Sequence, residues 1–355
     1  METLLISLKN SGYDIKVLTT CQRGDFHLEL EKNGIQTFSN EINFSNSFVY
    51  YLKQWRFLIL FCWQHKIDFL HSHLQHANII AVLAQFFIKA KCTIFRHHCN
   101  FLITGGTKQN EIERVFDKII HILSKRIIIP SYGVKREIEL NETKNTGKYV
   151  VLPYIYNFSR YATPDPERVI EIRKKYDADL VLLFCSRFID LKRPFVALNV
   201  LKKLIDMRIN AKLLLLDDGP LHEEMENFIK ENELSDNAHI IGFRQDYIDF
   251  FQASDILIHP SLTDASNSTV KEMALLEKCV IVCSETGDFD EYIINRDNGF
   301  LVSKENTLDE MVDIIVPLYK DKAEMIKIGS RLREVVIQKF SNSSEIIEQY
   351  IKYTL

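Results

Sequence analysis

Apolar residues fall along this chain in two kinds of run. Short β-branched stretches alternate with longer stretches in which apolar residues recur at three- and four-residue spacing. The first kind predicts strands and the second amphipathic helices. In the first half, strands are expected at 14–19, 67–70, 92–96, 126–130 and 149–152. Helices are expected between them at 47–64, 77–90, 109–124 and 132–139. In the second half, strands are expected at 180–186, 211–216, 239–241, 256–259, 280–283 and 300–302. The matching helices are 167–175, 194–207, 222–231, 248–252, 269–276 and 308–319. Several strands are continuously apolar, such as Leu180-Val-Leu-Leu-Phe184, as expected where helices cover both faces of a sheet. The alternation predicts an α/β protein with doubly wound parallel sheets.

The stretch 153–166 holds Pro153, Asn157, Pro164 and Pro166 and interrupts the alternation, which marks a domain boundary. The expected division is a first Rossmann-like domain over 1–155, a second over 156–340, and a final helix over 341–355 that returns to the first domain. A length of 355 residues fits two domains of ordinary size.

Composition narrows the classes further. With 12 glycines and 8 prolines the chain is neither collagen-like nor largely disordered. Lys and Arg number 44 against 48 Asp and Glu, a net charge of −4, so nucleic acid is not an expected partner. The halves differ: residues 1–150 carry 19 basic and 13 acidic side chains, and the remainder is net acidic. A basic first half can make peripheral contact with an anionic membrane or meet an anionic ligand, or it is ordinary variation between solvated faces. The seven cysteines include no Cys-x-x-Cys pair. Cys279-Val-Ile-Val-Cys283 reads as a buried strand with both thiols on one face. Reduced thiols and the absence of any apolar run near the ~20 residues that span a bilayer fit a cytoplasmic location, at most peripheral to the inner face of the membrane.

Four segments of the second half carry candidate chemistry. After a strand, Cys185-Ser-Arg187-Phe-Ile-Asp-Leu-Lys192-Arg-Pro194 places two cations five residues apart in a loop. Arg by its planar fork and Lys as a point charge can hold a diphosphate, or both can be solvated loop charges. Leu216-Asp-Asp-Gly219-Pro220 again links strand to helix, and Gly219 permits a tight turn and close approach. The adjacent Asp217 and Asp218 lack the spacing of a metal–diphosphate site, so no metal is expected. Gly242-Phe243 ends a strand where a small residue could admit a flat base. Finally, His259-Pro-Ser-Leu-Thr-Asp264-Ala-Ser266-Asn267-Ser268-Thr269-Val-Lys-Glu272 places a polar loop at a helix start. Free amides there form an anion site. Glu272 can bond a ribose diol, or it can close a capping box with Thr269.

The ordered set of Arg187-x4-Lys192, Asp-Gly-Pro, Gly-Phe and an acidic-x7-Glu element resembles the donor half of GT-B glycosyltransferases of family 4. Gly287-Asp-Phe-Asp-Glu291 and Asn298-Gly-Phe-Leu-Val302 extend the resemblance, which covers 181–302 well and the first half loosely. It implies two Rossmann-like domains facing across a cleft and metal-independent, retaining transfer of a sugar, without a cofactor. The donor would be a nucleotide-sugar, UDP- or GDP-linked, and the acceptor a glycan or lipid-linked glycan in surface polysaccharide biosynthesis. Arg187 and Lys192 would neutralise the leaving diphosphate, assisted by amides around Ser266–Thr269. Glu272 would hold the ribose hydroxyls. Asp264 stands where the family places a Glu that contacts the donor sugar, and is shorter by one methylene. His97, in Phe95-Arg96-His97-His98 at a strand end, corresponds to the family's histidine beside the sugar. His71-Ser-His73-Leu-Gln-His76 resembles the family's cleft-edge histidines more than a zinc set.

Relative to the family, the first strand and its glycine-rich loop are missing: residues 1–18 read as the helix that follows them and then the second strand. Two alternatives keep the same fold. One is a non-catalytic binding or partner subunit; the other is a sugar-nucleotide epimerase.

Overall fold

The computed structural model describes residues 1–40, 42, 48–100, 109–161 and 163–355, and the side chains of 109 and 110 are outside the description. The chain divides into two compact units. One comprises Met1–Asn157 with Phe340–Leu355, and the other Phe158–Lys339.

The second unit is a doubly wound α/β layer structure. Its strands are β7 (Leu180–Cys185), β8 (Ala211–Leu216), β9 (Ala238–Gly242), β10 (Ile256–His259), β11 (Cys279–Cys283) and β12 (Phe300–Val302). They form one parallel sheet in the order β12-β11-β10-β7-β8-β9. The chain therefore winds outward one way from β7 and then restarts beside it at β10. That reversal makes a crevice at the carboxyl ends of β7 and β10, the place where open α/β sheets bind ligands. Alternate residues of the strands feed one core: Leu180, Leu182 and Phe184 from β7, and Cys279, Ile281 and Cys283 from β11. The two thiols thus share a face, as their spacing requires. Helix Pro194–Asp206 begins at Pro194, whose fixed φ suits a first turn, and buries Ala197, Leu198, Val200, Leu201 and Leu204 against that sheet.

The first unit places its strands in two parallel sheets: β1 (Lys16–Thr19) with β2 (Gln36–Ser39), and β3 (Phe69–His73), β4 (Lys91–Phe95), β5 (Ile127–Ile129) and β6 (Tyr149–Val151) in that order. Helix Glu2–Asn10 does form and buries Leu4 and Leu8. Those side chains join Phe95, Ile128, Ile347 and Tyr350, so the first helix and helix Ser344–Thr354 share a core with β4 and β5.

Among the described residues two α-helices, Asp25–Lys32 and Lys322–Phe340, and one strand, β2, go beyond the sequence expectation. One helix is shorter than expected. Apolar residues run on to Ile88, but the helix ends at Ala84. Phe87 N–H turns back to the Ala84 carbonyl, and Gln85 Nε2 caps the Val82 and Leu123 carbonyls.

Candidate functional site

The loops that leave β7 and β10 are laced together at the crevice. Leu262 N–H donates to the Leu191 carbonyl at 2.9 Å, and Ser261 Oγ reaches the same oxygen. Lys192 Nζ donates to the Thr263 carbonyl at 3.0 Å and to Asp264 Oδ2 at 2.8 Å.

Asp264 is the hub of this contact. Its Oδ2 also accepts from Asn267 Nδ2 at 3.0 Å and from His259 Nε2 at 3.2 Å, while Oδ1 accepts from the Ala265 amide. Burial alone would raise its pKa. The hydrogen bond from His259 and the charge of Lys192 outweigh burial and hold the carboxyl well below the usual carboxylate range. Burial lowers the His259 pKa and so favours the neutral ring. In that form its Nε2–H serves Asp264, and its buried Nδ1 finds no hydrogen-bond partner among the described residues.

The two expected diphosphate cations are therefore unlike. Lys192 is already neutralised by Asp264. Arg187 is exposed, and its guanidinium meets no hydrogen-bond or ion-pair partner among the described residues. Arg193, next along the motif, is structural. It donates to the Pro260 and Lys304 carbonyls at 2.6 and 2.9 Å and to Thr307 Oγ1 at 2.7 Å.

Helix Ser268–Leu275 starts just beyond this loop. Its N-cap is Asn267, whose side chain accepts from Val270 N–H at 3.0 Å. The capping box of Thr269 with Glu272 is thus not formed. Glu272 lies one turn further on and is free of the cap. It is buried, which pushes its pKa up to about 7 against the opposing hydrogen bond from Tyr247. Thr269 instead turns its hydroxyl to Cys185, whose thiol burial raises to about 12. Glu272 and Asp217 add their negative charge to that shift.

Ser266 is committed elsewhere. Its hydroxyl donates to Asp288 Oδ2 at 2.6 Å and accepts from Lys271 Nζ at 3.0 Å. Lys271 and Asp288 are both fully buried and pair at 2.9 Å. They fasten the Asp264 loop to the loop after β11, where Gly287, at φ +55°, packs against the carbonyls of Asp264 and Ala265. Ser268 is exposed at the helix start.

Gly219 makes its close approach to protein. A Cβ there would stand 2.6 Å from the Phe188 carbonyl. Phe188 N–H donates to the Asp218 carbonyl and Leu221 N–H to the Phe188 carbonyl, so the turn after β8 braces the Arg187 loop. Gly242, at φ +77°, faces open space, and Phe243 beside it is 79% exposed.

His97 belongs to the first unit. Its Nε2 lies 3.1 Å from His73 Nδ1 and its Nδ1 2.5 Å from the Tyr154 hydroxyl. Burial lowers its pKa to about 4, helped by His98 and the amino terminus. His71 bonds the Thr354 carbonyl and His76 the Tyr51 hydroxyl, so the histidines go separate ways. Among the described residues no group of three or more His, Cys, Asp or Glu side chains is arranged to hold a metal ion.

The second unit thus joins Lys192 to Asp264 and Asn267, sets Thr269 and Glu272 near Cys185 at the end of β7, and leaves Arg187 exposed in the same loop as Lys192. Sequence reasoning gave no role to His259, Lys271, Asp288 or Tyr247. His259 carried a signal, a strand-end histidine five residues before Asp264.

Comparison with known proteins agrees with the topology. Residues 165–335 match the family model described as Glycosyl transferases group 1. Over 201 residues the chain is 25% identical to N-acetyl-alpha-D-glucosaminyl L-malate synthase of Bacillus anthracis, covering 55% of this chain and 51% of that protein. Over 288 residues it is 20% identical to UDP-Gal:alpha-D-GlcNAc-diphosphoundecaprenol alpha-1,3-galactosyltransferase of Escherichia coli, covering 78% and 72%. The chain spans about half the length of the first curated relatives it matches. The crystal structure of Anabaena HepE in complex with UDP aligns with a TM-score of 0.79 at 19% identity, over 99% of this chain and 94% of that one. WaaG, a glycosyltransferase involved in lipopolysaccharide biosynthesis, aligns at 0.69 and 12% identity over the same shares. The fold is GT-B, and the chain resembles the GT-B glycosyltransferases of family 4. Among the described residues no helix is long and apolar enough to cross a membrane.

Proposed function

We propose that this protein is a retaining glycosyltransferase of the hexosyltransferase type, moving a sugar from a UDP- or GDP-linked donor to a glycan or lipid-linked acceptor in surface polysaccharide biosynthesis. One observation carries the reading. At the crevice between β7 and β10, the Arg187 loop is laced to the loop that opens helix Ser268–Leu275, and the buried Glu272 of that helix is not spent on its cap.

In this reading the base lies by Gly242 and Phe243, and Glu272 accepts from the ribose hydroxyls. The diphosphate lies by Arg187, Lys192 and the amides of Ser268 and Thr269. As the bond from the anomeric carbon to the β-phosphate oxygen breaks, negative charge grows on the diphosphate. The preorganised cation and amides stabilise it, and no metal enters the step. The acceptor oxygen bonds the anomeric carbon on the face the phosphate leaves, and its proton passes to the departing phosphate oxygen. Asp264 sets Lys192 and the loop beside the sugar. His97 keeps the sugar-side role that the resemblance implies. The names of relatives support the donor and acceptor classes: HepE is described in complex with UDP-glucose, and the Escherichia coli relative as acting on a diphosphoundecaprenol-linked sugar.

The test is titration with UDP and GDP, followed by product analysis with UDP- and GDP-sugars and a lipid-linked glycan. Released nucleotide with a new glycosidic bond of unchanged anomeric configuration is expected. An isomerised donor would replace this reading with an epimerase, and donor binding without turnover would replace it with a binding subunit.

A further inference from the structure

We infer that Asp217 is a second carboxylate of the ribose site, accepting from the 2′-hydroxyl of the donor nucleotide while Glu272 takes the 3′-hydroxyl, so that the protein selects ribonucleotide-linked over 2′-deoxyribonucleotide-linked sugars. The inference rests on the donor reading above and narrows it. Its first sign is in the backbone. Asp217 follows β8 at φ +92°, whereas the other described non-glycine residues with positive φ lie between +50° and +70°. The left-handed region open to an L-residue ends near about +70°, and glycine would take this position freely. Asp217 N–H donates to the Gly242 carbonyl at 3.1 Å, beside a bulge that pairs Leu216 with Gly242. Its Oδ1 accepts from Asp218 N–H at 2.8 Å. The residue is half-buried, and its Oδ2 meets no hydrogen-bond or ion-pair partner among the described residues. Asp218, by contrast, is committed to its own turn, through the Gly219 amide and the His222 ring. A strained residue that keeps a carboxylate oxygen in reserve points to a ligand.

Sheet order says which part of the ligand it meets. β8 stands between β7 and β9, with Leu216 beside Cys185 on one side and Gly242 on the other. In the donor reading the base lies by Gly242 and Phe243, and the diphosphate lies by the loops after β7 and β10. A nucleotide laid across these strand ends passes its ribose over the end of β8, where Asp217 stands. Asp217 and Glu272 both put their charge on the Cys185 thiol, so the two carboxylates share one neighbourhood. An ionised carboxylate only accepts, and a ribose diol offers two donors, one for each. The bond to Gly242 ties Asp217 to the base side, and the 2′-hydroxyl is on the carbon next to the base. Glu272 comes from the helix after β10, on the phosphate side, nearer the 3′-hydroxyl.

The test is calorimetric titration of the full chain with UDP and GDP and with their 2′-deoxy counterparts. For the wild type, the deoxy form of whichever nucleotide binds should bind about 20-fold more weakly, the loss of one hydrogen bond to a charged group. Asp217→Gly should bring the ribo and deoxy forms to within about twofold, because the 2′ acceptor is gone. Its melting temperature should not fall, since glycine adopts φ +92° without strain. A purely structural role would leave the ratio of ribo to deoxy affinity unmoved. Asp217→Asn tolerates the same backbone and offers a neutral acceptor, so it should keep a preference of about threefold. If UDP or GDP binds and its deoxy form binds as well, this inference falls while the donor reading stands. A 20-fold preference that survives in Asp217→Gly overturns it too, by placing the 2′ contact on another residue. If neither UDP nor GDP binds, the donor reading falls and takes this inference with it.

Discussion

Lys192 and Asp264, 72 residues apart in sequence, meet at 2.8 Å and join the loops that leave β7 and β10. Both are largely withdrawn from water, so the pair is worth less for its Coulomb energy than for what breaking it leaves behind. Asp264→Ala strands the Lys192 ammonium, the Nε2–H of His259 and the Asn267 amide. A loss of about 3 kcal/mol in unfolding free energy is expected, measured by denaturant titration. Lys192→Met leaves Asp264 with His259 and Asn267 and should cost less. Equal losses would mean that Asp264 is not the hub.

Arg187 and Arg193 differ in the same loop in a way that separates binding from stability. Arg187 is exposed and without a protein partner among the described residues, whereas Arg193 holds two carbonyls and Thr307. Arg187→Ala should leave the melting temperature unchanged and weaken UDP or GDP binding, with turnover reduced about 100-fold. Arg193→Ala should lower the melting temperature by several degrees, through roughly 2 kcal/mol of lost charged hydrogen bonds. Thermal shift with and without nucleotide reads both. Unchanged nucleotide affinity in Arg187→Ala would remove the phosphate assignment.

Lys271 and Asp288 are a buried ion pair with no solvent access. Removing one partner leaves an uncompensated charge in the interior, at a cost of about 3–5 kcal/mol. Lys271→Met alone should therefore be severe. Adding Asp288→Asn removes the stranded charge, and unfolding measurements on the double variant should show part of the loss recovered. Strictly additive losses would mean that the two residues are independent.

The sheet of the second unit could be read from sequence because its strands are continuous apolar runs, as at Leu180–Cys185 and Cys279–Cys283. Helix Asp25–Lys32 and strand Gln36–Ser39 are short, polar and half-exposed, so they carry no clear period. Helix Lys322–Phe340 is broken as a pattern by Gly329. That glycine stands where a Cβ would lie 2.0 Å from the Glu277 carbonyl, so packing rather than helix propensity chose it. At the site, Arg187, Lys192, Asp264 and Glu272 were visible as residue types in order. The pairing of Lys192 with Asp264 was not, because proximity across a switch point follows from strand order and not from sequence distance. Lys271 was hidden for another reason: a lysine on an amphipathic helix reads as solvated until its carboxylate, 17 residues on, is found beneath it.

His97 is kept below its ordinary pKa by burial, at about 4 against 6.5. A histidine held neutral in the folded state contributes stability that is present above pH 6.5 and is lost as pH falls through about 4. Between those values this one group should withdraw about 1.4 kcal/mol per pH unit. His71 and His73 shift in the same direction. Melting temperatures should fall steeply from pH 6.5 to 4.5 in the wild type and less steeply in His97→Asn. Parallel curves would show that His97 does not carry the acid sensitivity.

Glu272 has the opposite sign. Burial raises its pKa to about 7 from an ordinary 4.5, so folding favours the protonated form. Its contribution to stability is complete below pH 4.5 and is lost as pH rises through 7, amounting to roughly 3 kcal/mol across the window. Nucleotide binding should run the other way. Ribose hydroxyls donate to a carboxylate better than to the neutral acid, so UDP or GDP affinity should rise between pH 6 and pH 8 while the unliganded protein loses stability. Glu272→Gln, neutral at both values, should flatten both trends and leave the weaker affinity of the low-pH wild type. Melting temperatures with and without nucleotide at the two pH values decide it. A wild type and Glu272→Gln that change in parallel would place the ribose contact, and with it the orientation of the donor, on some other residue.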